Sequence, residues 1–514
     1  GQVTVSFPQI FRERIGKILD TILFNGARIV KEGSPRLCPV FGRNQKGMPK
    51  HEPSMHIYAR SLARGSPFIV RANDTITEEM IKESGLRSDQ PTMILIHGWL
   101  GSVAHEKWIL DAKRSAFAAN NQFAGNFILV DYAITAKKGL FAMYPDTFTL
   151  SKRLANMLRM ISAISGAKPE TFHCLGHSYG SHICGIMSRE AFGPREVGRI
   201  TGLDPGGFCY ERGTENVQTY KGLRPTDAII VDTLMSSTTS WGINKNIGQF
   251  NIRVNRGYKH EQCSTVSNST NARLLFEAVK QILTGAKDYN HLVTCDHYVA
   301  TTIVSHRLPD ECQQIAYLCR SYQDMERGRC GVCGDEAGAD GPPNQCYVVD
   351  YGYQQYNKEA SDIISKQAQA VRAQYGTYNN DRRQYFLITS PKEPFCAYNY
   401  HIRIFLDVEN IKAAWFTLKL KDDYEYVSPS IKLYGPWDEN PNTLTSLLST
   451  NAPVKFVSAE ISVAGQRGKN KRIQSVAVTY MSSIVKSLHM PFPARSVKDE
   501  YSSVIEGDSI NFGN

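Results

Sequence analysis

The sequence of 514 residues contains no run of about 18 apolar residues, so we expect no transmembrane helix. It has no internal repeat and no low-complexity tract, which excludes repeat architectures and argues against global disorder. It also lacks nucleic-acid-binding motifs, so we predict no nucleic-acid partner. The net charge of +10 then points to anionic lipid headgroups or glycans, or only to a soluble basic surface.

The N-terminus lacks both an initiating Met and the uncharged apolar segment of a signal peptide. We therefore expect a mature, secreted, extracellular chain from which the signal has been removed. Residues 1–50 form an N-terminal extension in which apolar side chains recur at helical spacing between positions 10 and 23. This pattern favours an amphipathic helix packed on the main domain over a membrane-surface helix.

Short apolar strands alternate with helical patterns from residue 91 onward, and the strands are predicted at 92–96, 127–130, 172–175, 199–203 and 229–231. Such alternation predicts an α/β fold with a mostly parallel sheet and flanking helices. Functional groups in this class gather at the carboxyl ends of the strands, where His97, Asp131, Ser178 and Asp204 lie.

The pattern changes after residue 350. Residues 351–384, rich in Gln, Tyr and Asn, resemble an exposed linker or insertion. Alternating strands are then predicted at 385–389, 398–406, 414–420, 431–434, 454–463 and 473–480. They indicate an all-β sandwich over residues 385–514, because regular alternation of apolar and polar side chains suits a sheet with one buried face.

Twelve cysteines are present, and four of them fall in one Gly-rich segment: Cys319, Cys330, Cys333 and Cys346. A zinc site would use similar spacing, but the loop-like segment and the signs of secretion favour disulfides. Two sequons, at Asn73 and Asn268, predict glycosylation. The partners of six cysteines stay open: Cys38, Cys174, Cys184, Cys209, Cys312 and Cys396.

Residues 172–184 read FHCLGHSYGSHIC, which places a G-x-S-x-G motif between a strand and a helix. A serine nucleophile needs a histidine base and a carboxylate that orients the base. Asp204 ends the next strand and His297 follows, in the chain order typical of this arrangement. We therefore predict Ser178 as nucleophile, Asp204 as acid and His297 as base, with the backbone N–H groups of Trp99 and Tyr179 as oxyanion donors.

These segments resemble the pancreatic lipase family, which includes pancreatic, lipoprotein and hepatic lipases and related phospholipases A1. The resemblance rests on LIHGW at 95–99, GHSYGSH at 176–182, GRITGLDP at 198–205 and CDH at 295–297. It implies an α/β-hydrolase lipase domain over 51–350 and, more weakly, a PLAT-like β-sandwich domain over 385–514. The family motifs assign the same triad and oxyanion donors, and they imply the disulfides Cys319–Cys330 and Cys333–Cys346.

The resemblance also implies a lid closed by a disulfide between Cys263 and Cys295, just before the histidine. Apolar side chains within it form two adjoining helical rows: Leu274, Ala278 and Ile282, and Leu275, Val279 and Leu283. Such an amphipathic helix could cover an apolar cleft in water and dock on lipid, which we favour over an ordinary packed helix. Long lids accompany triacylglycerol hydrolysis in the family and short lids accompany phospholipase A1 activity, so this lid favours triacylglycerol.

The sequence departs from the family at its calcium loop. The matching stretch, 219–227, keeps only Asp227, and Arg224 stands where a carboxylate is expected. Calcium requires several oxygen ligands, so we expect no metal and no other cofactor, with a salt bridge from Arg224 in place of the ion. Tyr179 stands where Leu is common, and its ring is expected to narrow the acyl groove.

The sequence therefore favours a secreted lipase that hydrolyses lipid esters, preferably triacylglycerol, at a lipid interface through an acyl-enzyme. The alternatives are a catalytically weak or silent lipid-binding, yolk or storage protein, and a phospholipase A1. Four basic side chains, Arg467, Lys469, Lys471 and Arg472, predict contact with anionic glycans or headgroups, against the alternative of a solvated loop. Homo-oligomerisation and a protein cofactor stay open.

Overall fold

The structure is a computed structural model. It describes residue 31 and residues 48–59, 66–118, 125–214, 216, 219–263, 294–305, 314–330, 346–349, 383–406, 416–422, 424, 426–437, 441–454, 456–463, 473–481, 499–500 and 509–511. Several predicted features lie outside these residues: the amphipathic helix of the N-terminal extension, residues 351–382 of the linker 351–384, residues 264–293 of the lid, and the basic side chains at 467–472. The chain divides into two compact units, the first made of 1–307, 351–357 and 368–383 and the second of 308–350, 358–367 and 384–514.

The first unit contains eight described strands: β1 Ser54–Tyr58, β2 Phe68–Arg71, β3 Thr92–Ile96, β4 Asn126–Asp131, β5 Phe172–His177, β6 Arg199–Leu203, β7 Ile230–Met235 and β8 Phe250–Val254. Their order in the sheet is β8-β7-β6-β5-β3-β4-β1-β2. All neighbours from β3 to β8 are parallel, whereas β1 pairs antiparallel with both β4 and β2. The predicted α/β class is thus confirmed.

Six described helices accompany this sheet: α1 Glu78–Glu83, α2 Lys107–Ala116, α3 Ala133–Ala136, α4 Leu140–Ser165, α5 Tyr179–Ala191 and α6 Cys295–Ser305. Strand β3, with the sequence TMILI, is buried along its whole length because helices cover both faces of a parallel sheet. Helix α4 buries a stripe at helical spacing that includes Leu150, Leu154 and Leu158. Among the helices described here, none is both long and apolar enough to cross a membrane.

The strands β3, β5 and β6 end in register, which brings the residues that follow them together. Ile96 pairs with Gly176, and His177 pairs with Leu203 on the next strand. Backbone hydrogen bonds continue this register past the strand ends: the Ser178 N–H donates to Leu203 and the Asp204 N–H donates to Leu234. The sheet therefore places Ser178 and Asp204 side by side at one edge.

The second unit contains strands β9 Ile315–Leu318 and β10 Cys346–Val348, all of β11 except its first residue (β11 runs Arg383–Leu387), and a short helix, α7 Tyr322–Glu326. Two four-stranded antiparallel sheets follow, with strands β12 Tyr398–Leu406, β13 Phe416–Asp422, β14 Ile431–Lys432, β15 Thr443–Thr450, β16 Phe456–Val463, β17 Ile473–Tyr480, β18 Asp499–Glu500 and β19 Ser509–Asn511. Their orders are β15-β12-β17-β18 and β14-β13-β16-β19. Both sheets contribute to one core that includes Ile402, Ile404, Leu418 and Ile461, so a β domain is present.

Candidate active site

Ser178 lies on a sharp turn between β5 and α5, with φ 55° and ψ −119°. This conformation is strained for a residue with a side chain, and it occurs mainly where the surrounding structure enforces it. A Cβ at Gly176 would lie 2.2 Å from the Gly180 carbonyl oxygen, and one at Gly180 would lie 2.3 Å from that of Ile96. The two glycines of the motif are therefore required by backbone packing beneath the serine.

His297 and Asp204 form a direct pair beside this turn. The His297 Nδ1 lies 2.6 Å from the Asp204 Oδ2, and both side chains are almost fully buried. The same carboxylate accepts hydrogen bonds from the backbone N–H groups of Ser236 and Ser237 and from the Ser237 hydroxyl. A carboxylate held in this way fixes the orientation of the imidazole and leaves its Nε2 available as a base.

The hydrogen bonds to Asp204 also decide its ionisation. Burial raises the pKa of the Asp204 carboxyl. The hydrogen bond and charge of His297, together with the hydrogen bond from the Ser237 hydroxyl, outweigh this effect, so the pKa lies below its ordinary value. Asp204 is therefore ionised at neutral pH. An ionised carboxylate stabilises the imidazolium that forms when the base takes a proton.

A second histidine, His177, orients the backbone of His297. Burial, followed by the charge of His297, lowers the pKa of His177 to about 3, so its ring is neutral at neutral pH. Its Nε2 lies 3.1 Å from the His297 carbonyl oxygen, to which it donates a proton. The two rings also contact each other, with centroids 4.6 Å apart.

The predicted oxyanion donors lie at the same place. Trp99 follows strand β3 and Tyr179 is the first residue of α5, and both line a cavity together with Ser178 and His297. Within the described ranges, neither the Trp99 N–H nor the Tyr179 N–H has a hydrogen-bond acceptor. Two N–H groups of this kind beside a serine could bind an oxyanion.

The remaining wall of the cavity is largely apolar and aromatic. It is formed by Leu140, Phe208, Trp241 and Tyr298, with Gly206 beside the serine and the polar His177 and Thr294 completing the lining. The Phe208 and Trp241 rings are 5.4 Å apart, and Tyr179 is fixed by a hydrogen bond of 3.2 Å from its hydroxyl to the Leu140 carbonyl oxygen. The cavity therefore suits an apolar group next to a reactive carbonyl.

The segment 219–227 does not fit a calcium ion. Its one carboxylate, Asp227, is buried and accepts hydrogen bonds from the Arg189 guanidinium at 2.7 Å and from the Arg224 N–H at 2.8 Å. No group of three potential metal-ligating side chains occurs in the part of the chain that the structure describes. The predicted salt bridge from Arg224 is wrong. The Asp227 carboxylate forms its salt bridge with Arg189, and the Arg224 Nε donates to the Tyr220 carbonyl oxygen.

Three disulfides occur among the described residues: Cys174–Cys184, Cys263–Cys295 and Cys319–Cys330. The first joins β5 to α5 on either side of Ser178, and the second links the residues that bound the predicted lid. Cys333, the side chain of Cys346, Asn268 and the lid residues Leu274, Leu275, Ala278, Val279, Ile282 and Leu283 lie outside the described part. Asn73 is exposed in a turn, where glycosylation stays a prediction.

Several functional groups were not predicted from the sequence. Ser237 follows the end of β7, which runs four residues beyond the strand predicted at 229–231, so the sequence carried no signal for its role beside Asp204. Phe208 and Trp241 gave no signal because they lie in irregular segments between strands. His97, which shares the edge, takes no part in the pair: its Nε2 lies 3.4 Å from Asp131 and its ring stacks on Tyr132.

Comparison with known proteins gives one family. The family model described as Lipase matches residues 51–368. Lipase member H from Mus musculus is 24% identical over 407 residues, which are 77% of this chain and 76% of that protein. Pancreatic lipase-related protein 2 from Mus musculus is 28% identical and phospholipase A1 member A from Bos taurus is 27% identical. The chain spans about half the length of these last two relatives, 52% and 49%.

Solved structures show a weaker likeness. An α/β-hydrolase enzyme from a Medee basin deep-sea metagenome library is 14% identical, with a TM-score of 0.21, over 40% of this chain and 70% of that chain. A phospholipase/carboxylesterase from Dyadobacter fermentans is 11% identical, with a TM-score of 0.22, over 37% of this chain and 74% of that chain. Likeness at this level carries no argument about activity.

Proposed function

Because this chain belongs to the Lipase family, we propose that it hydrolyses carboxylic esters of lipids, with triacylglycerol preferred. Ser178 is the nucleophile, His297 the base and Asp204 the acid. One observation carries the proposal: the buried His297–Asp204 pair, 2.6 Å between Nδ1 and Oδ2, lies beside a serine held on a strained turn. A pair of this kind could activate a serine hydroxyl.

The residues act in two half-reactions. The Ser178 Oγ attacks the ester carbonyl and gives its proton to the His297 Nε2, while the N–H groups of Trp99 and Tyr179 bind the oxyanion. His297 then protonates the leaving alcohol, and an acyl-enzyme remains. A water molecule, deprotonated by His297, attacks this acyl-enzyme, and the fatty acid leaves as Ser178 regains the proton.

The preference for triacylglycerol rests on the segment between Cys263 and Cys295. These cysteines form a disulfide with a sequence separation of 32 residues, which leaves room for a lid of the long type. The apolar lining of the cavity, with Phe208 and Trp241, agrees with an acyl chain as ligand. We propose that the helix predicted at 272–284, which lies outside the described residues, binds a lipid interface, so that turnover rises when a soluble ester passes into emulsion.

Further parts of the proposal concern the whole chain. Disulfides form in oxidising compartments, so the three described ones support secretion and an extracellular location. The two antiparallel sheets of the second unit are compatible with a PLAT-like domain.

Anionic glycans or headgroups are proposed to bind the basic side chains at 467–472, and retention on heparin should fall when those four charges are neutralised. We propose that catalysis needs no metal ion.

Phospholipase A1 activity is the second candidate, because one of the relatives is named phospholipase A1 member A. Release of fatty acid from emulsified triacylglycerol and from phosphatidylcholine vesicles, measured side by side, separates the two. We expect faster release from triacylglycerol, and none from Ser178→Ala. Faster release from phosphatidylcholine would favour the second candidate, and no release from either lipid in the presence of lid-opening detergent would favour a silent lipid-binding protein.

A further inference from the structure

We propose that Arg189 and His182 are positioning residues for the nucleophile. Arg189 fixes the segment 220–227, and His182 transmits this fixed position to the Gly206 carbonyl beside Ser178. The segment is thereby held by a guanidinium group instead of a metal ion. The effect of His182 on the reactivity of Ser178 rests on the proposed ester hydrolysis, whereas the fixing of the segment by Arg189 does not.

Arg189 binds the segment at three points. Its guanidinium donates to the Asp227 carboxylate at 2.7 Å, to the Gly222 carbonyl oxygen at 3.0 Å and to the Lys221 carbonyl oxygen at 2.9 Å. Five N–H donors in a planar group suit such a set of acceptors, which a lysine could not bind with the same geometry. Because Arg189 lies in the last turn of α5, these bonds connect the segment to the helix that begins directly after Ser178.

The approach of Asp227 to this helix depends on a glycine. A Cβ at Gly185 would lie 2.4 Å from the Asp227 Oδ2. The segment also binds itself, since the Arg224 N–H donates to Asp227 and the Arg224 Nε donates to the Tyr220 carbonyl oxygen at 2.6 Å. The Arg189 guanidinium thus supplies the positive charge that an ion would bring to Asp227, and Arg224 binds within the segment itself.

His182 connects the segment to the site. The Leu223 N–H donates to the His182 Nδ1 at 3.1 Å, so this nitrogen carries no proton. The Nε2 therefore carries the proton and donates it to the Gly206 carbonyl oxygen at 2.8 Å. Burial lowers the pKa of His182 to about 3, which agrees with a neutral ring in this tautomer. The ring is further fixed by stacking on Tyr210 at 3.7 Å.

Gly206 is the point where this chain of contacts reaches the chemistry. A Cβ at Gly206 would lie 3.3 Å from the Ser178 Oγ. The same turn begins with Asp204, and it is fixed on its other side by hydrogen bonds from Gly207 to Trp241 and from Ile243 to Pro205. A shift of this turn would move Gly206, which lies against the Ser178 side chain, together with the acid Asp204. Displacements of about 1 Å at a catalytic site can lower the rate by about 10²-fold.

A matched pair of variants tests His182. In His182→Gln the amide NH₂ can occupy the position of Nε2 and still donate to the Gly206 carbonyl oxygen. In His182→Asn the shorter side chain reaches only the position of Nδ1, where its oxygen can accept from the Leu223 N–H. Both variants lose the stacked ring. We expect the bimolecular rate of Ser178 labelling by an alkyl phosphonate to be about tenfold or more higher in His182→Gln than in His182→Asn, with similar thermal midpoints. Equal rates in the two variants would overturn the positioning role of His182.

His173→Gln is the control for replacing a partly buried histidine in the neighbouring strand β5. His173 bonds to Thr201 within the sheet and makes no contact with Gly206. We expect its labelling rate to match the wild type. A loss as large as that of His182→Asn would show that replacing a histidine near β5 has this effect wherever it lies, and would overturn the inference.

The second test concerns Arg189 and needs no activity. We expect the thermal midpoint of the wild-type protein to stay constant when chelator or Ca²⁺ is added. The midpoint of Arg189→Met should fall by about 4 °C or more, since Asp227 loses its partner. A wild-type midpoint that rises with Ca²⁺ and falls with chelator would overturn the inference. If the wild type cannot be labelled at all, the proposed hydrolysis fails, and this second test still decides the role of Arg189.

Discussion

In the first unit, three of the seven described non-glycine residues with positive φ come after parallel strands at the end of the sheet that holds Ser178, whereas the described part of the second unit has little such strain. Leu100, Ser178 and Asp204 all have positive φ, at 61°, 55° and 43°, and all come after parallel strands. In the described part of the second unit, Phe395 is the one non-glycine residue with positive φ. Strain of this kind persists where surrounding packing enforces it, and it collects at functional sites.

The second unit shows the contrasting case. Strand β12 pairs in continuous register with β15, and its Ile402 and Ile404 are fully buried in a core of aliphatic and aromatic side chains. Such a core contributes stability through burial of apolar area. The comparison therefore separates residues that place chemistry from residues that maintain the fold.

Asp204→Asn should have the largest effect on activity. An amide cannot hold the imidazole in the required tautomer, so we expect kcat for a soluble ester to fall by about 10⁴-fold. The control is Asp232→Asn, because Asp232 is equally buried but binds Arg199 and Thr201 within the sheet. Asp232→Asn should lower the free energy of unfolding while kcat of the folded protein is retained. Equal losses of kcat in both variants would contradict the separation of residues that place chemistry from residues that maintain the fold.

Ile402→Ala should have the largest effect on stability without an effect on chemistry. Truncation of this fully buried side chain should lower the free energy of unfolding by about 2–5 kcal/mol, since it removes apolar contacts and leaves a cavity. Denaturant titration measures this change. Tyr424→Ala is the control, because Tyr424 is 89% exposed, and we expect a change within about 0.5 kcal/mol. A tenfold loss of kcat in folded Ile402→Ala would contradict the separation of the two roles.

The smallest expected effect is the pH dependence of the Asp204 contribution to stability. The pKa of Asp204 in the folded protein lies below its ordinary value, so the unfolded state binds protons more readily as pH falls. The contribution is present above the unfolded pKa, about 3.9, and is lost as pH falls through the folded value. The stability difference between wild type and Asp204→Asn should therefore shrink in acid. A difference that grows in acid would contradict the ionised state of Asp204.

Much of the first unit could be predicted from its sequence because its strands are short, apolar and bounded by turn residues. Strand β3 was predicted with its observed bounds, Thr92–Ile96. Strand β15, Thr443–Thr450, was not predicted, because its sequence TLTSLLST carries polar side chains at several buried positions. Pairing with β12 stabilises these polar positions, and such pairing cannot be inferred from local alternation.

The candidate site shows the same limit. Ser178 and Asp204 follow from motifs at strand ends, and His297 follows from the CDH motif at 295–297. The partner of Asp227 did not follow, because Arg189 is 38 residues away and reaches the carboxylate only through the packing of α5 on the segment 220–227. Local sequence favoured Arg224, whose guanidinium binds a carbonyl oxygen instead. Side-chain pairing between distant segments is set by tertiary contacts.

The central claim is that Ser178 is an activated nucleophile, and covalent labelling by an alkyl phosphonate tests it most directly. The full-length protein is treated in lid-opening detergent, and the modified residue is identified by mass spectrometry of its peptides. We predict one modified site, Ser178, and no modification in Ser178→Ala. Absence of labelling in the folded wild-type protein, or labelling at another residue that persists in Ser178→Ala, would contradict the claim.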